Sequence, residues 1–366
     1  MVLKTLKKCL EIFMKISIGT KIKDGPWGGG NLFAINLIHY LRSKNHTVVN
    51  NLDDEDIDLI LLTEPRKTSE SSAFTHIDVR NYLDYVKKNT LVIHRINECD
   101  ERKGTNYVNK YLISANKYAD HTIFVSSWLK NLYSSQGMKN ENSTIIYAGA
   151  DSSIFNNDDH TPWNQQDKLK IVTHHWGANW NKGFDVYQKL DEMLENKKWK
   201  NKIDFTYIGN LPKNFKFNNT KHIPPLSGNN LANEIKKSHI YLTGSINEPS
   251  GNHHIEGAQC GLPVMYIDSG GTTEYCKDYG VEYDLNNFEI KLDTVINDYQ
   301  SLYDKVLNYP FSANLMSENY LKLFEKLFSN KDEIIFRRTN KIPEGNLYKF
   351  YYKFSRKIKK GKTNKA

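Results

Sequence analysis

Two glutamates, Glu248 and Glu256, form the strongest candidate for chemistry in this sequence. Glu248 lies in a loop after an apolar run, and Glu256 lies about one turn into the helix expected next. Between them, Pro249 and Ser250 suit the start of a helix, and Gly251 lets backbone approach a ligand closely. The free N–H groups of a helix N-terminus can bind a diphosphate. Flanking carboxylates could then bind the hydroxyls of a ribose and a sugar, although an ordinary surface helix can carry the same residues.

The longer string around these glutamates makes the interpretation more specific. Residues 245–276 read SINEPSGNHHIEGAQCGLPVMYIDSGGTTEYC. This string resembles the donor-site signature of retaining GT-B glycosyltransferases of the GT4 type (glycosyl transferases group 1). Weaker similarity is found at 124–127, 147–151 and 181–183, so the resemblance runs from about residue 14 to 329.

The resemblance implies transfer of a sugar from a nucleotide-diphosphate sugar, UDP- or GDP-linked, to an acceptor hydroxyl, with retention of configuration. It implies that Glu256 binds the nucleotide ribose and that Glu248 acts at the donor sugar. Lys182 corresponds to the lysine that neutralises the donor diphosphate, although by itself it reads as a surface lysine. The backbone expected to contact phosphate or sugar is that of Ser250, Gly251, Asn252 and His253.

The sequence departs from the family just before Lys182. The family usually has Gly-Arg a few residues before the Lys-Gly pair, whereas residues 173–180 here read THHWGANW. No arginine is available at that position, so we expect His175, Asn179 or another side chain to take its place. The adjacent pairs 174–175 and 253–254 predict no metal site, because neighbouring histidines point apart on a strand or helix. The resemblance likewise implies no cofactor and no metal requirement.

A glycine-rich turn follows the first predicted strand. Residues 26–31 read PWGGGN and open a helix. Glycine lets backbone N–H groups approach an anion. In this context Gly28, Gly29 and Gly30 resemble the GT-B loop that closes over the donor phosphates from the opposite domain, although a plain tight turn would look the same.

A dense polar cluster follows the apolar run Leu91–Ile93. Because ligands of doubly wound sheets bind outside the carboxyl ends of the strands, this cluster is expected at the mouth of a cleft. The resemblance suggests a catalytic position for His94, close to the reacting sugar. We expect acceptor binding by Arg95, Asn97, Glu98 and, more weakly, Glu64. For the charged residues 100–103, a solvated loop is an equally good interpretation.

Short apolar runs alternate with helical stretches along most of the chain, which is typical of βαβ units in a parallel sheet. The predicted fold class is α/β: GT-B, with two doubly wound Rossmann-like domains facing each other across a cleft. We expect an acceptor domain over residues 14–157 and a donor domain over 165–308. A helix over 309–330 would pack back on the first domain, and 331–366 form a basic aromatic tail.

The basic charge of the protein is concentrated in that tail. The 366-residue chain has a formal net charge of +8, yet residues 331–366 alone hold 12 Lys and Arg against 3 Asp and Glu. A near-neutral body argues against nucleic-acid binding. Residues 347–360, LYKFYYKFSRKIKK, predict a basic amphipathic helix on an anionic membrane surface, with a disordered solubilising tail as the alternative.

The location and the competing functions follow from the remaining features. No apolar run approaches the roughly 20 residues that span a bilayer. Four cysteines without a CxxC pair and an N-terminus unlike a signal peptide predict a cytoplasmic protein, peripheral on the membrane through its tail. The expected partners are a nucleotide sugar and a glycan or glycolipid acceptor. The alternatives are a sugar-nucleotide epimerase or phosphorylase on the GT-B fold, and a non-enzymatic membrane- or nucleic-acid-binding protein acting through the tail.

Overall fold

Two parallel six-stranded sheets, one in each half of the chain, form the framework of the molecule. The structure, a computed structural model, describes residues 12–23, 28–139, 141–338, 350, 352 and 354–356. The sheet of the first half and the helices that cover it are called the N-terminal domain. The sheet of the second half with its helices is called the C-terminal domain.

The strands of the N-terminal domain are short and apolar, as expected for a parallel sheet covered by helices on both faces. They are β1 (Lys15–Ile18), β2 (Thr47–Val49), β3 (Leu59–Leu62), β4 (Leu91–Ile96), β5 (His121–Phe124) and β6 (Ser143–Ile145), in the order β2-β1-β3-β4-β5-β6. The helices are α1 (Gly29–Ser43), α2 (His76–Tyr85), α3 (Asp100–Lys103), α4 (Val108–Asn116) and α5 (Ser127–Ser135). Strand β4 runs three residues beyond the predicted Leu91–Ile93, so the polar residues His94 and Arg95 belong to the strand itself.

The C-terminal domain repeats the same architecture with a different strand order. Its strands are β7 (Leu169–His175), β8 (Ile203–Gly209), β9 (Lys221–Ile223), β10 (Ile240–Leu242), β11 (Val264–Tyr266) and β12 (Gly280–Glu282), in the order β12-β11-β10-β7-β8-β9. The helices are α6 (Phe184–Met193), α7 (Lys197–Lys200), α8 (Gly228–Ile235), α9 (Asn252–Gln259), α10 (Thr272–Cys276) and α11 (Phe288–Val306). The order reverses between β7 and β10, which makes the crevice between their carboxyl ends the expected ligand site.

Two segments of the chain cross side by side between the domains. The backbone of Ala150, in the segment that leaves the N-terminal domain, is hydrogen-bonded to Phe311 (3.2 Å) and Ala313 (2.7 Å), in the segment that returns to it. The returning helix α12 (Ala313–Ser329) then packs on α1 of the N-terminal domain. Its residue Tyr320 lies 5.2 Å from Phe33, ring centre to ring centre, within the core that includes β1.

The last elements also rest on the N-terminal domain. Helix α13 (Lys331–Phe336) is followed by Arg338, which forms a two-pronged pair with Asp120 at 3.0 and 2.6 Å. The predicted amphipathic helix over 347–360 lies largely outside the described residues. Of its described part, Arg356 donates to the carbonyl oxygens of Leu52 and Asp53. None of the helices in the described part of the chain has both the length and the apolar character needed to cross a membrane.

Candidate active site

The predicted donor-site residues meet at the switch point of the C-terminal sheet. Lys182 ends a 3-10 turn (Trp180–Lys182) that follows β7, and Glu248 lies in the loop that follows β10. The two loops are joined by the N–H of Ile246, which donates to the carbonyl of Asn181 at 3.0 Å. The turn and the loop therefore position Lys182 and Glu248 together.

Helix α9 begins at this point with its N-terminus open. Its N-cap, Gly251, has φ +73°, a left-handed conformation that favours glycine. A Cβ at this position would lie 2.4 Å from an atom of the His254 ring. Gly29, at the start of α1, lies directly across, because a Cβ on it would come within 2.8 Å of the Asn252 side chain. Gly29 and Asn252, the first residue of α9, thus face each other across the cleft.

Glu248 is buried between two cations. One carboxylate oxygen accepts a hydrogen bond from the Lys182 ammonium, and the other accepts one from Nε of Arg102 at 2.9 Å. Only 4% of Glu248 is exposed. Burial opposes its ionisation, but attraction to Lys182 and Arg102 outweighs burial and holds the pKa of the carboxyl well below its usual range. Attraction to Glu248 likewise raises the pKa of Arg102.

The segment Gly270–Glu274 supports this loop and ties the domains together. The N–H of Gly271 donates to the carbonyl of Glu248 at 2.7 Å. Three residues later, Glu274 accepts the backbone N–H groups of Ser127 and Trp128, both at 2.8 Å. Those N–H groups open α5 of the opposite domain, where a carboxylate is stabilised by the helix dipole. Glu274 therefore caps a helix in the other domain.

The carboxylate of Glu256, on the first turns of α9, is oriented by the side chain of His174. It accepts a hydrogen bond from Nε2 of His174 at 2.8 Å, and Nδ1 of His174 lies 3.1 Å from the hydroxyl of Tyr241. When Nε2 of His174 carries the proton, Nδ1 can accept a hydrogen bond from the Tyr241 hydroxyl. This series of hydrogen bonds therefore favours one tautomer of His174. One oxygen of Glu256 is thus held by His174.

His175 does not supply the charge of the missing arginine. Its ring points into the domain, where Nε2 lies 2.7 Å from the Tyr187 hydroxyl and the ring packs 4.5 Å from that of His253. Burial, reinforced by the charge of Lys182, lowers the pKa of His175 well below its usual value, so the ring is neutral. The expectation for His175 was wrong because the strand turns this side chain inward. Asn179 is exposed beside the Lys182 turn.

The histidine pairs form no candidate metal centre. No group of three or more His, Cys, Asp or Glu with the geometry of a metal site occurs in the described ranges. His253 is bonded to the Thr243 hydroxyl at 2.8 Å, and His254 packs beside Tyr275.

His94 lies buried within the N-terminal domain. Its side chain is fully enclosed, with Nδ1 2.9 Å from the side-chain oxygen of Asn116. Burial lowers the pKa of His94 to about 4, although the hydrogen bond to Asn116 opposes the shift. A catalytic residue must reach the substrate, and in this arrangement His94 does not. Both faces of β4 are covered, so the apolar pattern did not reveal which face this residue occupies.

The predicted acceptor residues do come together. An open pocket of about 40 Å³ is lined by Thr63, Glu64, Arg66, Arg95, Asn97, Glu98 and Leu112. Within it, Glu64 pairs with Arg66 through two hydrogen bonds of 2.8 and 2.5 Å. The Arg95 guanidinium lies 3.8 Å from the centre of the Phe33 ring, so Arg95 also joins β4 to α1.

Sequence reasoning missed two residues, Arg102 and Glu274, as functional positions. Arg102 had been assigned to a stretch that could equally be a solvated loop, and Glu274 had no role beyond its place in a motif. The available signal for Arg102 was its position in a polar cluster beyond the carboxyl end of a strand. Its partner lies 146 positions away in the sequence, which no local pattern reveals.

Comparison with known proteins identifies the fold. The sequence matches no family model and no curated protein. Among solved structures, a glycosyltransferase from Rickettsia africae aligns with 87% of this chain and 99% of its own, at 15% identity and a TM-score of 0.63. The Anabaena protein HepE, in complex with UDP and glucose, aligns with 86% and 100%, at 13% identity and a TM-score of 0.64. The catalytic domain of Arabidopsis thaliana starch synthase IV, bound to ADP and acarbose, aligns with 87% of this chain and 99% of its own. The sequence identity is 11% and the TM-score is 0.65.

These similarities show that the chain has the GT-B fold, with two parallel six-stranded sheets and their helices. The predicted fold class is confirmed. At identities of 11 to 15% the likeness concerns the fold, and the function has to be argued from the site.

Proposed function

We propose that this protein is a metal-independent retaining glycosyltransferase of the GT4 type. It would move a sugar from a UDP- or GDP-linked donor to a hydroxyl of a glycan or lipid-linked glycan. The observation that carries the proposal is the grouping of Lys182, Glu248 and Glu256 around the open N-terminus of α9, at the switch point of the C-terminal sheet. A cation and backbone N–H groups suit a diphosphate, and carboxylates suit the hydroxyl groups of a sugar and a ribose.

The difficult step in such a transfer is departure of the nucleoside diphosphate from an oxocarbenium-like sugar. Negative charge grows on the leaving phosphate, and preorganised positive groups lower the barrier. In our proposal these groups are the ammonium of Lys182, the N–H groups at the start of α9 and the amides of Gly28–Gly30. The same groups take the role that a divalent cation has in other transferases, so we expect turnover to survive chelation.

Retention of configuration does not require Glu248 to act as a nucleophile. Its carboxylate is buried and paired with Lys182 and Arg102, so it is not free to attack the anomeric carbon. We propose that Glu248 binds the donor sugar, and that the acceptor hydroxyl attacks from the face that the diphosphate leaves. The leaving phosphate oxygen then accepts the proton of the acceptor hydroxyl.

The acceptor would bind in the cavity lined by Glu64, Asn97 and Glu98. Carboxylate and amide oxygens accept hydrogen bonds from sugar hydroxyls, and Arg66 and Arg95 add donors on the same walls. His94 is left out of this proposal, because its enclosed side chain does not reach the cavity.

Three measurements test the function. UDP- or GDP-sugars should raise the melting temperature, since a ligand that binds only the folded state stabilises it. Glu256→Ala should abolish that shift, because the ribose loses its carboxylate. Turnover should persist in EDTA, whereas loss on chelation with recovery on adding metal would contradict metal independence. Release of a changed nucleotide sugar without any acceptor would instead favour the epimerase alternative.

We further propose that the enzyme is cytoplasmic and rests on an anionic membrane through its C-terminal tail. Arg356 holds the tail on the carbonyl groups of Leu52 and Asp53, while Phe350 and Phe354 are 75% and 56% exposed. Exposed aromatic side chains in a strongly basic segment suit an anionic lipid surface. Replacing both phenylalanines by alanine should lower co-sedimentation with phosphatidylglycerol vesicles. Unchanged binding would refute the role of the tail.

A further inference from the structure

The charged loop after β4 reaches across the cleft to the donor side. Its residue Arg102 meets Glu248 at 2.9 Å, as part of a network that spans both domains. Glu248 is also paired with Lys182 of the C-terminal domain. Two cations from opposite domains thus bind the two oxygens of one carboxylate. An anion with oxygens in a similar arrangement, such as a phosphate, fits the same pair of cations.

The network carries a surplus of positive charge. It contains the cations Lys182, Arg102 and Lys103 and the carboxylates of Glu248 and Glu98. Lys103 lies 3.1 Å from Glu98, whereas Arg102 lies 3.5 Å from the same carboxylate. Glu98 is therefore compensated mainly by Lys103, whereas Lys182 and Arg102 both pair with the single carboxylate of Glu248.

The loop that carries Arg102 is held rigidly in place. Asp100 accepts the backbone N–H groups of Val108 (2.8 Å) and Asn109 (3.0 Å), which fixes α3 against the start of α4. From the other domain, the side-chain amide of Asn181 donates to the carbonyl of Arg102 at 3.4 Å. Asn247 donates in the same way to the carbonyl of Glu101 at 3.3 Å. Arg102 is thus presented in a defined position, as a binding residue requires.

We propose that Arg102 supplies the second positive contact to the donor diphosphate, in place of the arginine that residues 173–182 lack. This inference rests on the proposed function, because it assumes a nucleoside diphosphate beside Lys182. Without a bound donor, Glu248 pairs with both Lys182 and Arg102. When a donor binds, its phosphate contacts these two cations, and Glu248 can turn toward the sugar. Because Arg102 belongs to the N-terminal domain, the same contact favours closure of the cleft over the donor.

The test compares the affinities of UDP and UMP, and of GDP and GMP, for the full chain by isothermal titration calorimetry. Arg102→Gln should raise the Kd of the diphosphate roughly 10- to 100-fold, the range of a lost charge-assisted hydrogen bond, and leave the monophosphate Kd nearly unchanged. Arg102→Lys should give an intermediate loss, because it keeps the charge without the guanidinium fork. Lys110→Gln, the matched control at an exposed lysine of the neighbouring helix α4, should leave both affinities unchanged.

Two results would overturn the proposal. Equal loss of diphosphate and monophosphate affinity in Arg102→Gln would mean that Arg102 only holds the cleft together. Full recovery of diphosphate binding in the double variant Arg102→Gln, Glu248→Gln would mean that Arg102 only draws Glu248 away from Lys182. No binding of either nucleotide pair by the wild-type protein would instead refute the proposed function, and the inference with it.

Discussion

Replacing Glu274 by alanine should loosen the attachment of the N-terminal domain to the C-terminal domain. The Glu274 carboxylate accepts two backbone N–H groups at the start of α5, those of Ser127 and Trp128, and the hydroxyl of Tyr147 at 3.1 Å. Ser127 and Trp128 belong to the N-terminal domain, whereas Tyr147 packs against the core of the C-terminal domain. Alanine removes every one of these contacts and leaves the first turn of α5 without its charged cap.

The expected loss can be worked out from these contacts. Each hydrogen bond to a charged group contributes about 1.5–3 kcal/mol, and two N–H groups lose such a bond. Ser127 and Trp128 are half-buried, so water replaces part of the loss. We therefore expect the free energy of unfolding to fall by roughly 2–3 kcal/mol. For domains of this size that corresponds to a drop in melting temperature of about 4–12 °C.

Differential scanning calorimetry provides the measurement. We expect the transition of Glu274→Ala to move down and to separate into two, because each domain keeps its own core. Glu318→Ala is the matched control, since Glu318 forms an exposed pair with Lys322 on α12 and its loss should leave the scan unchanged. A Glu274→Ala scan that coincides with that of the wild type would refute the cap as an interdomain contact.

Three further predictions concern other parts of the molecule. Gly251→Ala should cost about 1–3 kcal/mol in thermal unfolding and weaken nucleotide binding, because it forces φ +73° on alanine and a Cβ against His254; an unchanged melting temperature would contradict this. Arg338→Ala should cost about 3 kcal/mol by leaving Asp120 buried without its partner, whereas Arg337→Ala, at an exposed pair, should cost nothing measurable in the same denaturation assay. Between pH 6.5 and 5.5, urea denaturation should show a fall of about 1 kcal/mol from each histidine whose pKa is lowered to about 4, which includes His94, His121, His239 and His254. Burial lowers the pKa of these histidines to about 4 in the folded state. As the pH falls below about 6.5, the unfolded chain therefore takes up protons before the folded protein does. The stability that is present above about pH 6.5 is lost as the pH approaches about 4. A stability that stays flat over this interval would show that these rings are not kept neutral by the fold.

The sequence by itself determined most of the elements and the positions of several residues of the proposed donor site. Apolar runs such as Leu59–Leu62 form strands because a sheet covered on both faces buries every residue. The sequence around Gly251 predicts a helix start between the two glutamates. Glu248 was therefore expected in a loop and Glu256 on the helix that follows, because the start of a helix depends on neighbouring residues. Asn97 and Glu98, which the sequence predicts to bind the acceptor, line one pocket, since the carboxyl end of β4 fixes where they lie.

The tertiary structure alone decided which side chains meet. His94 and His175 lie on buried strands, where the sequence pattern is apolar on both faces and does not show which way a residue points. Arg102 meets Glu248, and Glu274 meets Ser127, only because two domains pack against each other across the cleft. Local periodicity encodes helices and strands, whereas contacts between residues almost 150 positions apart depend on how those elements are assembled.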